Sequence, residues 1–259
     1  MRQRSEAGIP GLNPQNPVTH TLLELYTDYA VSECEIEGLE NLEEVRKLHK
    51  EKKPVVWNPN HLSNLDALAI HREFERHGYK DVADRMIFLL GIRLLKNLGT
   101  RFFTNGLPTI SVWPPTEEVH TPAEQKKKSG MLKASLRGAI KILHDGDHSL
   151  VVFMEGGRSR TGSLRKPYPQ TIRYLRAGEV DPYVVALGIC GTDDRLPVGA
   201  KIARRGPIKL IVEKPERFSV LTQDIPKDLG KHEWEKAAAD IIMGRIAASL
   251  PPQYRGVYA

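Results

Sequence analysis

Asn60-His61-Leu62-Ser63-Asn64-Leu65-Asp66 places a carboxylate five positions after an imidazole. An ordinary imidazole titrates near about pH 6.5, so it can take up a proton at neutral pH. A carboxylate on one ring nitrogen leaves the other free for that proton. This is the base and its orienting partner from a catalytic triad, without the serine nucleophile. On one continuous helix, residues five apart point about 140° away from each other, so the pair needs a loop before the helix in order to meet. Spacing alone is a weak signal. A histidine bonded to backbone and a carboxylate at a helix start account for such pairs more often than catalysis does.

The second stretch is Glu155-Gly156-Gly157-Arg158-Ser159-Arg160-Thr161-Gly162, which follows Phe153-Met154. Gly156 and Gly157 let the backbone come close to a ligand, and Arg158 and Arg160 can each grip two phosphate oxygens. Ser159 and Thr161 add hydroxyl donors. Gly157 and Gly162 have Walker-loop spacing, but Ser163-Leu164 stand where Lys-Ser/Thr is required. A solvated basic turn accounts for such a stretch about as often as a phosphate site.

Both stretches need a scaffold. The chain has 259 residues, 40% hydrophobic and 27% charged, enough to bury one core without disulfides. Apolar spacing predicts helices over residues 19–30, 42–48, 86–98, 123–145, 171–177 and 234–250. A further helix starts near Ser63 or Asn64. The long helix over 123–145 carries Leu132, Leu136, Ile140 and Leu143 on one face. Strands are predicted around Cys34 and Ile36 and over 54–57, 107–113, 149–154, 183–190 and 208–212. This alternation implies an α/β fold, with a largely parallel central sheet and helices on both faces. In such sheets ligands bind beyond the carboxyl ends of strands, where the loops after Trp57 and Met154 stand. Residues 1–17 read as a flexible N-terminal tail and 18–259 as a single domain.

The net charge is +6, from 38 basic and 32 acidic residues, which suits an anionic partner. Phosphorylated substrates, acidic carrier proteins, anionic membranes and nucleic acid all qualify. Aromatics make up only 7%, and no recognised binding signature interleaves them with the basic residues, so nucleic acid is not expected. Lys126-Lys127-Lys128, with Lys133, Arg137 and Lys141, suits an acidic carrier or anionic lipid, although a solvated helix face is the commoner explanation. Cys34 and Cys190 are far apart and form no CxxC, and histidines do not cluster with carboxylates at ligand spacing beyond the one pair. No metal and no bound cofactor are expected. No signal peptide or spanning helix is predicted, so the expected location is cytoplasmic, with peripheral membrane contact as a further option.

Together, Asn60-His61-x4-Asp66 and Phe153-x-Glu155-Gly156-Gly157-Arg158-Ser159-Arg160-Thr161-Gly162 resemble the glycerolipid acyltransferases. That family includes glycerol-3-phosphate and 1-acylglycerol-3-phosphate acyltransferases. The resemblance spans residues 35–218. Glu37-Gly38-Leu39-Glu40-Asn41 leading into Pro54-Val55-Val56 is similar to the family's lead-in to its first motif. Asp181-Pro182-Tyr183-Val184-Val185-Ala186-Leu187 resembles its fourth. The Glu-Gly-Gly-Arg-Ser-Arg-Thr-Gly form is more like the glycerol-3-phosphate and dihydroxyacetone-phosphate enzymes than the lysophosphatidate enzymes, which usually carry Glu-Gly-Thr-Arg-Ser. In Gly99-Thr100-Arg101-Phe102-Phe103-Thr104-Asn105, Asn105 stands where the family's second motif has a phosphate-holding arginine. Either Arg101 substitutes from a different backbone position, or the motif's equivalent is the segment 107–113.

The resemblance implies direct acyl transfer from acyl-CoA or an acyl carrier protein to the sn-1 hydroxyl of glycerol 3-phosphate, with a lysolipid as the alternative acceptor. His61, held by Asp66, would act as general base. Arg158 and Arg160 would bind the acceptor phosphate beside Gly156, Gly157 and Ser159. Glu155 would either hydrogen-bond a glycerol hydroxyl or brace the arginines. Backbone N–H groups after Asn60, or Ser63, would stabilise the oxyanion. The absence of Gly-x-Ser-x-Gly agrees with a route that forms no acyl-enzyme.

Overall fold

The computed structural model describes residues 8–92, 94, 104–114 and 117–259. Unbroken apolar runs build its centre. Val55, Val56 and Trp57 in β3 (Val55–Pro59), Leu150 and Val151 in β6 (Ser149–Val151) and Val184 to Ile189 in β7 (Tyr183–Cys190) are almost wholly buried. Strands apolar on both sides require cover on both faces, and the helices supply it.

The other strands are β1 (Leu12–Asn13), β2 (Val31–Glu37), β4 (Met86–Gly91), β5 (Thr109–Val112), β8 (Gly206–Val212) and β9 (Glu216–Arg217). They form one sheet in the order β1-β5-β4-β6-β3-β7-β8-β2, with β9 paired to β7. From β5 through β7 every pairing is parallel. β1 on β5, and β8 and β9 on β7, are antiparallel, while β2 returns parallel to β8. On one face lie α1 (Pro17–Ala30), α2 (Leu39–Lys50) and α3 (Asp66–Arg76), packed on Trp57, Met86 and Phe88. On the other lie α5 (Pro122–Asp145) and α9 (Lys231–Ser249), packed on Val56, Ile87 and Leu150. The short helices are α4 (Lys80–Ala83), α6 (Ile172–Leu175), α7 (Thr192–Arg195) and α8 (Phe218–Leu221).

Four expectations need correction. Met86 to Gly91 is a strand, not the start of a helix, because Met86-Ile87-Phe88-Leu89-Leu90 is apolar throughout and such a run carries no periodicity to separate the two. Its parallel partners β5 and β6 decide the matter. Residues 8–17, expected within the tail, pack on the domain. Ile9 is buried, β1 closes the sheet edge, and the Asn16 side chain accepts from Thr19 N to cap α1. α5 does not face the core with Leu132 and Ile140, which are both exposed. It uses Ser135, Gly138, Ala139, Ile142 and the expected Leu143, with Leu136 partly buried beside them. Gly138 allows this close approach, since a Cβ there would fall 2.4 Å from Pro10 O. Finally, α3 begins at Asp66 rather than at Ser63 or Asn64.

Candidate active site

β6, β3 and β7 are adjacent and parallel, so the loops leaving their carboxyl ends converge. Asn60 fixes the first of these loops. Its buried amide donates to Ile189 O (2.9 Å) and accepts from Ile189 N (2.7 Å), stapling the end of β3 to β7. His61 follows in the loop, and Asp66 opens α3. The Asp66 carboxylate reaches back over the turn, where Oδ2 accepts from Leu62 N (2.7 Å) and Ser63 N (2.9 Å) and lies 2.8 Å from His61 Nδ1. A carboxylate only accepts, so Nδ1 carries the hydrogen and the neutral ring presents Nε2 as a proton acceptor. Asp66 is wholly buried and the His61 side chain is 18% exposed. Phe153 packs against the imidazole at 4.2 Å between ring centroids.

The arginine loop is tied to the histidine loop through main chain. Ser159 N donates to His61 O (2.7 Å), and Glu155 accepts from His61 N (2.9 Å) and Arg165 N (3.0 Å). Glu155 is buried, and burial pushes its pKa up to about 7, outweighing the two amide donors and the Arg165 charge. It therefore clamps two backbone segments beside the Arg165 charge. Ser159 is also buried. Its hydroxyl accepts from Thr161 N (3.3 Å) and Ser163 N (3.2 Å), so it shapes the turn instead of facing a ligand. The Ser63 hydroxyl donates to Leu196 O at 2.7 Å, which engages it away from an oxyanion. The backbone N–H groups of His61, Leu62 and Ser63 are likewise engaged, by Glu155 and Asp66, which removes the first amides after Asn60 as oxyanion donors.

Both loops open onto a cavity of about 820 Å³. His61, Gly156, Gly157, Arg158, Arg160 and Arg165 line it, together with apolar residues such as Phe88, Leu90, Val112 and Trp113. A Cβ at Gly157 would meet nothing within 4 Å, so that backbone stands open. Arg158 is half-buried, and burial lowers its pKa, assisted by Arg160 and opposed by Asp66. A guanidinium so displaced is still a cation at neutral pH. Arg101 lies outside the described residues. Arg165, which motif reading passed over, lines the cavity and donates through Nη1 to Arg158 O (3.3 Å), giving a third guanidinium. Its place in the same Gly/Arg-rich loop was the signal that would have found it. Thr192, also missed, donates from Oγ1 to Asp66 Oδ1 at 2.6 Å, and no motif marked it. Among the described residues, no group of three or more His, Cys, Asp or Glu is placed to hold a metal ion.

A model of the acyltransferase family matches residues 33–189, more than half of the chain, and includes both motif loops. The chain belongs to the acyltransferase family. The fold of this acyltransferase is similar to that of PlsC from Thermotoga maritima, a 1-acyl-sn-glycerophosphate (LPA) acyltransferase. The TM-score is 0.53 at 19% identity, over 88% of this chain and 78% of that one. Likeness at that identity speaks for the fold. Among curated protein sequences, none matches. No helix among the acyltransferase's described residues is long and apolar enough to cross a membrane.

Proposed function

We propose that this acyltransferase moves a fatty acyl group from a thioester, acyl-CoA or acyl carrier protein, to the sn-1 hydroxyl of glycerol 3-phosphate. The observation that carries this reading is the 2.8 Å contact between Asp66 Oδ2 and Nδ1 of His61, which lines the same cavity as Arg158, Arg160 and Arg165. His61 Nε2 takes the proton of the acceptor hydroxyl as that oxygen attacks the thioester carbonyl. The tetrahedral adduct collapses, the C–S bond breaks, and the thiolate leaves with the proton that His61 returns. The guanidinia hold the acceptor phosphate, and the apolar wall takes the acyl chain. No metal or bound cofactor is needed for this sequence of steps.

The Glu155-Gly156-Gly157-Arg158 form supports glycerol 3-phosphate. PlsC acts on a 1-acylated glycerophosphate, which supports the lysolipid alternative. Thiol release from acyl-CoA and from acyl carrier protein, measured over glycerol 3-phosphate, dihydroxyacetone phosphate and lysophosphatidate, decides between them. Turnover of glycerol 3-phosphate is the expected result, and turnover confined to lysophosphatidate overturns it.

A peripheral seat on an anionic bilayer fits the same chemistry, because the product is amphiphilic. On α1, Val18, Leu22, Leu25 and Tyr29 form an exposed apolar stripe. Tyr26, on the flank of that stripe, meets the backbone of Ala203. Beside Ala203 stand Ile202, 77% exposed, and the exposed cations Lys201, Arg204 and Arg205. Val198, in the same loop, lines the cavity. Apolar side chains flanked by cations match a bilayer carrying anionic headgroups.

A further inference from the structure

Asp66 must hold one oxygen toward His61 while a proton arrives on the imidazole and leaves again. Oδ2 accepts from His61 Nδ1, Leu62 N and Ser63 N, all on the same loop. Oδ1 accepts from Thr192 Oγ1 at 2.6 Å, across 126 positions of sequence. Thr192 is completely buried, as is Asp66. A buried carboxylate oxygen needs a donor, and a donor on Oδ1 opposes rotation that would exchange the two oxygens.

The turn that delivers Thr192 is built for that placement. Gly191 ends β7 with φ of 86°, a left-handed value that glycine adopts without strain, and its N–H donates to Tyr254 Oη at 3.0 Å. The next residue is then directed at Asp66. The residue after that, Asp193, abuts the arginine loop, since a Cβ on Gly162 would fall 2.6 Å from Asp193 Oδ2. The turn after β7 thus touches both motif loops. It lies beyond the matched span 33–189.

We infer that Thr192 is a positioning residue for the acyl-transfer base, fixing through Asp66 Oδ1 the direction from which Oδ2 orients His61. This rests on reading His61 as the base. The role needs a hydroxyl donor, so serine fulfils it and valine, of nearly the same shape, does not.

The test compares wild type, Thr192→Ser, Thr192→Val, Thr192→Ala and His61→Ala. Two readouts are taken: thiol release with acyl-CoA and the acceptor that turns over, and the low-field proton resonance of His61 Nδ1–H, assigned by its loss in His61→Ala. In Thr192→Val, kcat falls by about 10- to 100-fold, the cost usual for an outer partner of a reacting group, while both KM values stay within about threefold. The resonance moves or disappears. Thr192→Ser keeps the resonance and stays within about threefold of wild-type kcat. The inference is overturned if Thr192→Val keeps wild-type kcat, if Ser and Val variants lose equally, or if kcat falls with an unchanged resonance. Thr192→Ala replaces Thr192→Val should the latter not fold, and failure of both to fold makes the role structural and also overturns it. A fully active His61→Ala sinks the base reading itself. An inactive His61→Ala beside a fully active Thr192→Val leaves the base standing and removes only Thr192.

Discussion

Under the proposed reaction, removing the imidazole of His61 takes away the proton acceptor, and the ring sits at the cavity wall rather than in the packed core. His61→Ala is expected to lower kcat by about 10²- to 10⁴-fold, with the far-ultraviolet dichroism of the folded chain retained. Arg158 is a different case. In the proposed reaction its guanidinium holds the acceptor phosphate, and a charge-assisted hydrogen bond contributes about 1.5–3 kcal/mol. Arg158→Ala should therefore raise the acceptor KM by about 10- to 100-fold and leave the donor KM nearly unchanged. Steady-state titration of each substrate at saturation of the other checks this, and equal effects on both would count against the assignment.

At the scale of elements, Glu155 ties the loop after β3 to the loop after β6. Its folded pKa of about 7 lies above the ordinary 4.5, because burial disfavours the charge. Between those values the folded chain holds a proton that the unfolded chain releases. Stability from this group is full below about pH 4.5, declines as pH rises toward 7, and then levels off. Glu155→Gln should flatten that decline in a Tm series from about pH 5 to 8. It should also lower Tm at the acidic end, where the amide NH2 faces a backbone donor. Other elements differ in how far they could be read beforehand. β7 has the bounds that its apolar run predicts, 183–190, since strand edges there coincide with Pro182 and Gly191. β4 was not legible, because an apolar run without polar punctuation fits helix and strand alike. The two motif loops were visible in local sequence. Their internal bonding was not: nothing near Ser63 shows that Leu196 O awaits its hydroxyl, and nothing near Asp66 points to Thr192. Partners fixed by sheet order rather than chain proximity leave no local trace.

For the molecule as a whole, Tyr26 joins α1, with its exposed stripe, to the loop carrying Ile202 through the backbone of Ala203. Leu25→Glu combined with Ile202→Glu should abolish co-sedimentation with vesicles containing anionic phosphatidylglycerol. Turnover of soluble substrates should be kept, and wild-type binding should weaken with salt. Unchanged sedimentation of the double variant would move the attachment elsewhere. The sheet order carries one more consequence. β3, β6 and β7 enter the chain at residues 55, 149 and 183, yet lie side by side beneath His61 and Asp66. Segments so remote must close large loops before they pair, and such contacts form slowly. After dilution from denaturant, helical ellipticity from α1, α5 and α9 should return early. The ability to cleave a thioester should be among the last properties the chain regains.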